Sequence, residues 1–495
     1  MSTENKSFIG LLRSFNPTYW ITSGMELFER WAWYGMFAVL ALYLTGSTDE
    51  GALGFTHTEK GYIMGPVTAI LYLLPIFTGV IADKIGYKLS LVIAYVILIV
   101  GYYLLGTVSS FWSFYIIFLF VALGAAMFKP VASGAITKTT DKSNSTLGFG
   151  IFYMMVNVGG FIGPAMSSYL RTTFGWKLVF IQAAVVIGIN LILVLLFFKE
   201  PYREKTEESF GEAIANAAKK IVEAVMDVRL TVLLVIMIGF WTMFNQLFYT
   251  LPTFIEDWVD TKLLHDQIAS FWPWLASIMS GGGDSVNPEW LINIDAGAIV
   301  LLQALVSFFV LKMRHVSAMI RGFIIAAIGI GITFYTHNGM FTIVGIVIFA
   351  VGEMMTNPTF SSFIAIISPR GKEALYQGAY FLPVAAGNFF TTFVSGNLYQ
   401  AWSDKLGLLQ GEMAKRNIEM PEITQEFTKN NYFELASEKL GMSQNEMTQL
   451  IWDTYQPNRI WYVIVAIGLV SIIALSVYDR MVIRPKEKNG ESPTD

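Results

Sequence analysis

Twelve apolar runs, each of about the 20 residues needed to cross roughly 30 Å of hydrocarbon, recur along this 495-residue chain. They lie near 18–44, 60–82, 87–107, 111–137, 148–170, 176–198, 230–252, 290–312, 318–336, 340–367, 373–402 and 458–482, and are numbered below as spans 1 to 12. Inside a bilayer no water is present to bond the backbone, so each run must satisfy its N–H and C=O groups internally, which dictates a helix. The residue makeup agrees, because 54% hydrophobic with only 14% charged lies outside the range of soluble domains. The chain reads as an all-α membrane protein with twelve transmembrane helices.

An even number of spans puts both termini on one side. Of the 33 lysines and arginines, 21 fall on that side, 10 on the other, and Arg30 and Lys129 lie inside spans. Basic residues collect on the cytoplasmic side, so both termini are expected there. The first twenty residues contain no signal-peptide pattern, so span 1 is expected to remain in the protein. Residues 199–229 form a linker carrying Lys199, Arg203, Lys205, Lys219, Lys220 and Arg229. Within it Phe210, Ile214, Ala217, Ile221, Val225 and Val228 recur at helical spacing, which predicts an amphipathic helix along the membrane surface. The organisation is thus a six-helix bundle over 1–198, the cytoplasmic linker 199–229, and a second six-helix bundle over 230–495 with an extracytoplasmic insertion at 403–457. That insertion contains Ser443 and Glu446 at the spacing of a capping box. Residues 253–289 end in "SGGGDSVNPEW", which reads as a flexible connection.

Ionisable groups inside spans cost about 2.5–3.5 kcal/mol each on insertion scales and mark paired or functional positions. Span 1 holds three in "ELFER": Glu26, Glu29 and Arg30. Helical spacing places them on one face with Trp33 and Tyr34, a face that cannot look at lipid. Lys129 lies in span 4, Glu353 in span 10, and Asp295 near the start of span 8. Among the five deepest groups three acids oppose two bases, so around a common cavity one carboxylate lacks a full-time partner and can carry a proton. The alternative for the span 1 triplet is a local ion-pair lock. Other chemistry has no seat: there is no cysteine, no pair of the four histidines has ligand spacing, and no GxSxG, HExxH or Walker A pattern occurs. An enzyme, a metal site, an ATP-driven pump and a nucleic-acid partner are not expected.

"GVIADKIGYKLS" (79–90) resembles the loop between helices 2 and 3 of major facilitators, and the six-plus-six layout fits that fold. More closely, the chain resembles the proton-dependent oligopeptide transporter family within it. "ELFERWAWYG" resembles that family's ExxER segment and "FYMMVNVGG" (152–160) its helix-5 signature. "FKP" places Lys129 at the helix-4 lysine, while "GEMMTNP" and "YQGAYFLPVAAGN" resemble the helix-10 and helix-11 motifs. The resemblance implies that Arg30, Lys129 and Asn157 receive a peptide's carboxylate end and backbone, and that Glu353 receives its amino end, with Asp295 beside it. Tyr34, Tyr72, Trp241 and Tyr380 would line side-chain pockets. Charge supports this division, because a zwitterion needs opposite charges at its two ends, and Lys129 and Glu353 supply them from different halves of the chain.

Two departures stand out. Phe37 and Asn245 occupy positions where the family has an arginine and a glutamate that pair to close the outer gate. Losing both partners together avoids a stranded charge. The expectation is that closure relies on packing and that proton coupling falls to Glu26, Glu29 and Glu353. The sequence therefore points to a secondary transporter importing di- or tripeptides with protons, needing no other cofactor, monomeric, in a bacterial inner membrane. A facilitator or symporter of another organic solute, or a membrane sensor, are the competing readings.

Overall fold

The computed structural model describes residues 8–141, 144–201, 208–369 and 372–485. Arg203 and Lys205 of the linker lie outside the described residues. Among the described residues every regular element is helical, with one isolated bridge between Asp260 and Asn338. Nine of the described helices are long and apolar enough to cross a bilayer, or ten when the pair His57–Leu73 and Pro75–Ile85, bent by 45°, counts as one. The other two expected spans are helical but differ in kind. Span 1 is one helix, Pro17–Thr45, whose three charges depress its hydropathy. Span 11 is divided into Glu373–Ala379, Phe381–Thr392, the π-helical turn Phe393–Leu398 and Tyr399–Trp402. Proline accounts for the breaks. Pro75, Pro252 and Pro383 lack an N–H and crowd the carbonyl four residues back, and the helices part at Leu74, Thr250 and Tyr380, within that turn.

The helices form two compact units. The first draws its described residues from Met1–Met36, Ile70–Met166 and Lys177–Lys220, the second from Phe37–Ala69, Ser167–Trp176 and Ile221–Asp495. In the first unit the Tyr19 hydroxyl donates to the Gly148 carbonyl at 2.8 Å, and Asn190 Nδ2 donates to the Met25 carbonyl at 2.8 Å. These bonds hold spans 5 and 6 against span 1. A methyl group at Gly163 would lie 2.5 Å from the Trp31 carbonyl oxygen, so spans 1 and 5 meet backbone to backbone.

In the second unit the same device joins span 2 to span 11. A methyl at Gly61 would lie 2.7 Å from Gly396 Cα and 2.8 Å from the Thr392 carbonyl oxygen. Arg171, near the end of span 5, pairs with the buried Glu289 at the start of span 8, at 2.6 Å. Residues 253–289 are more ordered than their glycines suggested. They include the helices Thr261–Phe271 and Pro273–Ser280, followed by a turn with Gly281 and Gly282 at φ of 62° and 87°. The Asp260 carboxylate accepts from Leu263 N at 2.8 Å and so caps the first of these helices, which supplies the order that composition concealed.

The insertion is a small helical cap of Lys405–Lys415, Lys429–Leu440 and Gln444–Tyr455. Ser443 and Glu446 form the capping box their spacing announced, and Thr428 with Asn431 forms a second. Leu409, Met413, Ala436, Met447 and Ile451 bury its small core. Its two ends are stitched together where the Ser403 hydroxyl donates to the Pro457 carbonyl at 2.7 Å. The cap also reaches the loop between spans 1 and 2. Asn430 Nδ2 donates to Asp49 at 3.1 Å and to Glu50 at 2.8 Å, while Asp404 lies 3.5 Å from His57 Nε2.

Glu412 pins the first cap helix to the third. It accepts from Arg416 Nε at 2.8 Å and from the Tyr455 hydroxyl at 2.9 Å. The Arg416 hydrogen bond, opposed by partial burial and aided by Tyr455, holds this carboxyl below the usual carboxylate range. A depressed carboxyl contributes stability that is present above its unfolded value, about 4.3, and is lost as pH falls through the folded one. Glu412→Gln is expected to lower the melting temperature at pH 7 and to lower it less at pH 3. Equal losses at both pH values in a thermal melt would sink this assignment.

Candidate solute-binding site

In the first unit, span 1 brings its three charges to one buried face. Glu26, Glu29 and Arg30 are 6%, 0% and 9% exposed. Arg30 Nε donates to Glu29 at 2.5 Å and stands 3.3 Å from Glu26. The same guanidinium lies 5.7 Å from the Tyr34 ring centre, a cation–π separation. Lys129 of span 4 lies 5.2 Å over the ring of Tyr72 from span 2. Arg30, Trp33, Tyr72 and Lys129 line one small cavity, so four residues from three spans converge. Asn157 is not shown joining them, because its amide donates to the Tyr153 carbonyl of its own helix at 3.0 Å.

The pairing shows how the triplet is tolerated inside the protein. One guanidinium serves two carboxylates, while Glu29 keeps one oxygen without a hydrogen bond. Two residues that the sequence did not flag stand beside it. Tyr95 and Tyr102 of span 3 are wholly buried, lie near enough to Glu29 to feel its charge, and have unpartnered hydroxyls. Their spacing of seven, which puts both on one helix face, was the available signal.

The second unit gathers the remaining candidates. The rings of Trp241 and Tyr380 meet edge to face at 6.4 Å, and the Tyr380 hydroxyl donates to Asn357. Asp295 is 4% exposed, Glu353 is half-buried, and the two carboxylates repel each other. Neither forms an ion pair with a described residue.

At the altered positions, the Phe37 ring packs edge to face on Tyr249 at 5.5 Å, and Asn245 is buried with an unpartnered amide nitrogen. Tyr249 in turn donates to Asn388 at 2.7 Å. A polar cluster unseen in the sequence lies in this unit too. Lys60 is fully buried, donates to the Tyr249 carbonyl at 3.1 Å and stacks over Tyr399, whose hydroxyl bonds Asp257 at 2.8 Å.

Charged groups held inside a helical membrane bundle, beside aromatic rings with polar tips, define a solute transporter and not an enzyme. The chain belongs to the Major Facilitator Superfamily, whose family model matches residues 23–380. It is similar to the uncharacterized transporter YclF of Bacillus subtilis, at 24% identity over 448 residues, which cover 80% of this chain and 90% of that one. It is also similar to the peptide transporter YePEPT of Yersinia enterocolitica, at 28% identity over 180 residues. That match spans 35% of this chain and only 34% of the relative. Among solved structures it shares its fold with a POT family transporter in complex with 5-aminolevulinic acid, with a TM-score of 0.66 at 18% identity, covering 96% and 98% of the two chains. The peptide-transporter relative and the POT family neighbour agree with the oligopeptide-transporter branch that the ExxER, helix-5 and helix-10 segments resemble.

Proposed function

We propose that this protein is a secondary active transporter that imports di- and tripeptides with protons, by alternating access. The observation that carries the reading is a division of charge. The first unit presents Arg30 and Lys129 around one cavity, and the second presents Asp295 and Glu353, which form no ion pair among the described residues. A peptide is a zwitterion, so its carboxylate suits the first set and its ammonium the second. Trp241, Tyr380, Tyr34 and Tyr72 offer apolar area with polar tips for varied side chains. Protonation of Glu26 or Glu29 would release Arg30 from double duty and leave the cationic set ready for the carboxylate. Both termini face the cytoplasm, and the protein works as a monomer in a bacterial inner membrane.

A second reading is a different small amino acid-like solute. It is favoured by the solved neighbour that holds 5-aminolevulinic acid, which also carries an amine and a carboxylate. Uptake of labelled dialanine into liposomes, with and without an inward proton gradient, separates the two. The expected result is accumulation driven by the gradient and abolished in Glu353→Gln. Equilibration indifferent to the gradient would make the protein a facilitator, and no uptake would favour the non-peptide solute.

A further inference from the structure

Spans 8 and 10 pack directly, Ala298 and Ile299 of one lying in a common core with Ala350 and Met354 of the other. Asp295 sits one turn from Ala298 and Glu353 one turn from Ala350, on the faces that meet. Asp295 Oδ1 and Glu353 Oε2 are both buried without a hydrogen-bond partner. Glu353 feels the charge of Asp295, and among the described residues neither carboxylate is in an ion pair.

Among the described residues no neighbouring element brings a cation into an ion pair with either carboxylate: on the helix Thr261–Phe271, Lys262 pairs with Asp284 and His265 lies beside Asp266. On span 8, Glu289 is engaged by Arg171. On the helix Leu251–Trp258, Glu256 is exposed and Asp257 accepts from Tyr399. On span 9, His315 contacts Ser362 and Arg321 contacts Met313. Two carboxylates in this setting cannot both be ionised without a cation between them.

We infer that Asp295 and Glu353 share one proton, and that the pair thereby accepts a proton and a substrate ammonium at the same time. The inference rests on the proposed zwitterionic substrate. One carboxylate alone could balance either a proton or an ammonium, so the two would compete. With two carboxylates, the empty site holds one proton and one negative charge, and the ammonium neutralises that charge without expelling the proton. Loading therefore leaves this site electrically neutral. The proton comes from water as an O–H bond forms on either carboxylate, and returns to water when that bond breaks after the solute has left. Asp295 becomes a coupling residue in its own right, beyond its place beside the amino end.

Dialanine affinity of the purified full-length protein, measured by calorimetry from pH 8 to pH 6, tests the pair. Relative to the wild type, whose profile carries any contribution from Glu26 and Glu29, Asp295→Asn should bind progressively more weakly as pH falls, by about tenfold per pH unit once Glu353 titrates. An Asp295→Asn profile matching the wild type overturns the inference. If the wild type binds no dialanine, the peptide reading fails, and infrared spectroscopy without substrate decides the pair. A protonated-carboxyl stretch that Asp295→Asn and Glu353→Gln each shift or remove supports sharing. A band indifferent to Asp295→Asn overturns it.

Discussion

Arg30→Ala is expected to cost about 3–5 kcal/mol of stability, because it leaves buried carboxylates without their cation. Glu26 and Glu29 are both nearly inaccessible, and Arg30 holds them at 3.3 Å and 2.5 Å. A drop in melting temperature alone would be ambiguous, since a pure lock and a binding site both predict it. The companion Glu29→Gln/Arg30→Met separates them. Removing Arg30 together with its closest carboxylate leaves only Glu26 without its cation, so part of the lost stability should return. Dialanine uptake should stay absent, because the guanidinium proposed to hold the carboxylate is gone. Recovery of both stability and transport in the double variant would reduce the triplet to an ion-pair lock.

Gly61→Leu should abolish transport while leaving the protein folded. The added side chain meets Gly396 Cα at 2.7 Å and the Thr392 carbonyl oxygen at 2.8 Å, and backbone cannot rotate aside as a side chain can. Overpacking of this kind costs about 1–3 kcal/mol, a burden the whole protein can absorb but a single helix crossing cannot. Spans 2 and 11 would stand apart, and the closure proposed to rest on packing, with Phe37 against Tyr249 in place of an ion pair, would fail. Cysteine crosslinking between introduced residues in spans 2 and 11 should fall with it. Wild-type uptake and crosslinking in Gly61→Leu would show that closure lies elsewhere.

Much of this was legible where the information is local. The spacing of Glu26, Glu29 and Arg30 fixed their common face, and Ser443 with Glu446 announced a helix start. The breaks at Pro75 and Pro383 were not read, because the runs 60–82 and 373–402 are apolar on both sides of each proline. What else escaped depends on partners far along the chain. Lys60 stands at the edge of an apolar run, as a lysine near the membrane surface would. Its full burial follows from Tyr249 and Thr253, almost two hundred positions later. Tyr95 and Tyr102 look like ordinary span residues until Glu29 is placed beside them. The Asp295–Glu353 pair needed the packing of spans 8 and 10, since neither residue alone implies a shared proton.

The cap's grip on the loop after span 1 sets an order of assembly. Ser47, Asp49 and Glu50 leave the ribosome early, yet their partner is Asn430. Likewise His57 waits for Asp404, and Lys60 for Tyr249. Contacts so distant in sequence form late, and chains of this size fold through partly assembled states. The first hairpin of the protein therefore enters the membrane unfinished, and its buried lysine remains unsatisfied until the second half arrives. Truncation anywhere before residue 430 should strand that hairpin and mark it for proteolysis, so the far end of the chain decides whether its beginning survives.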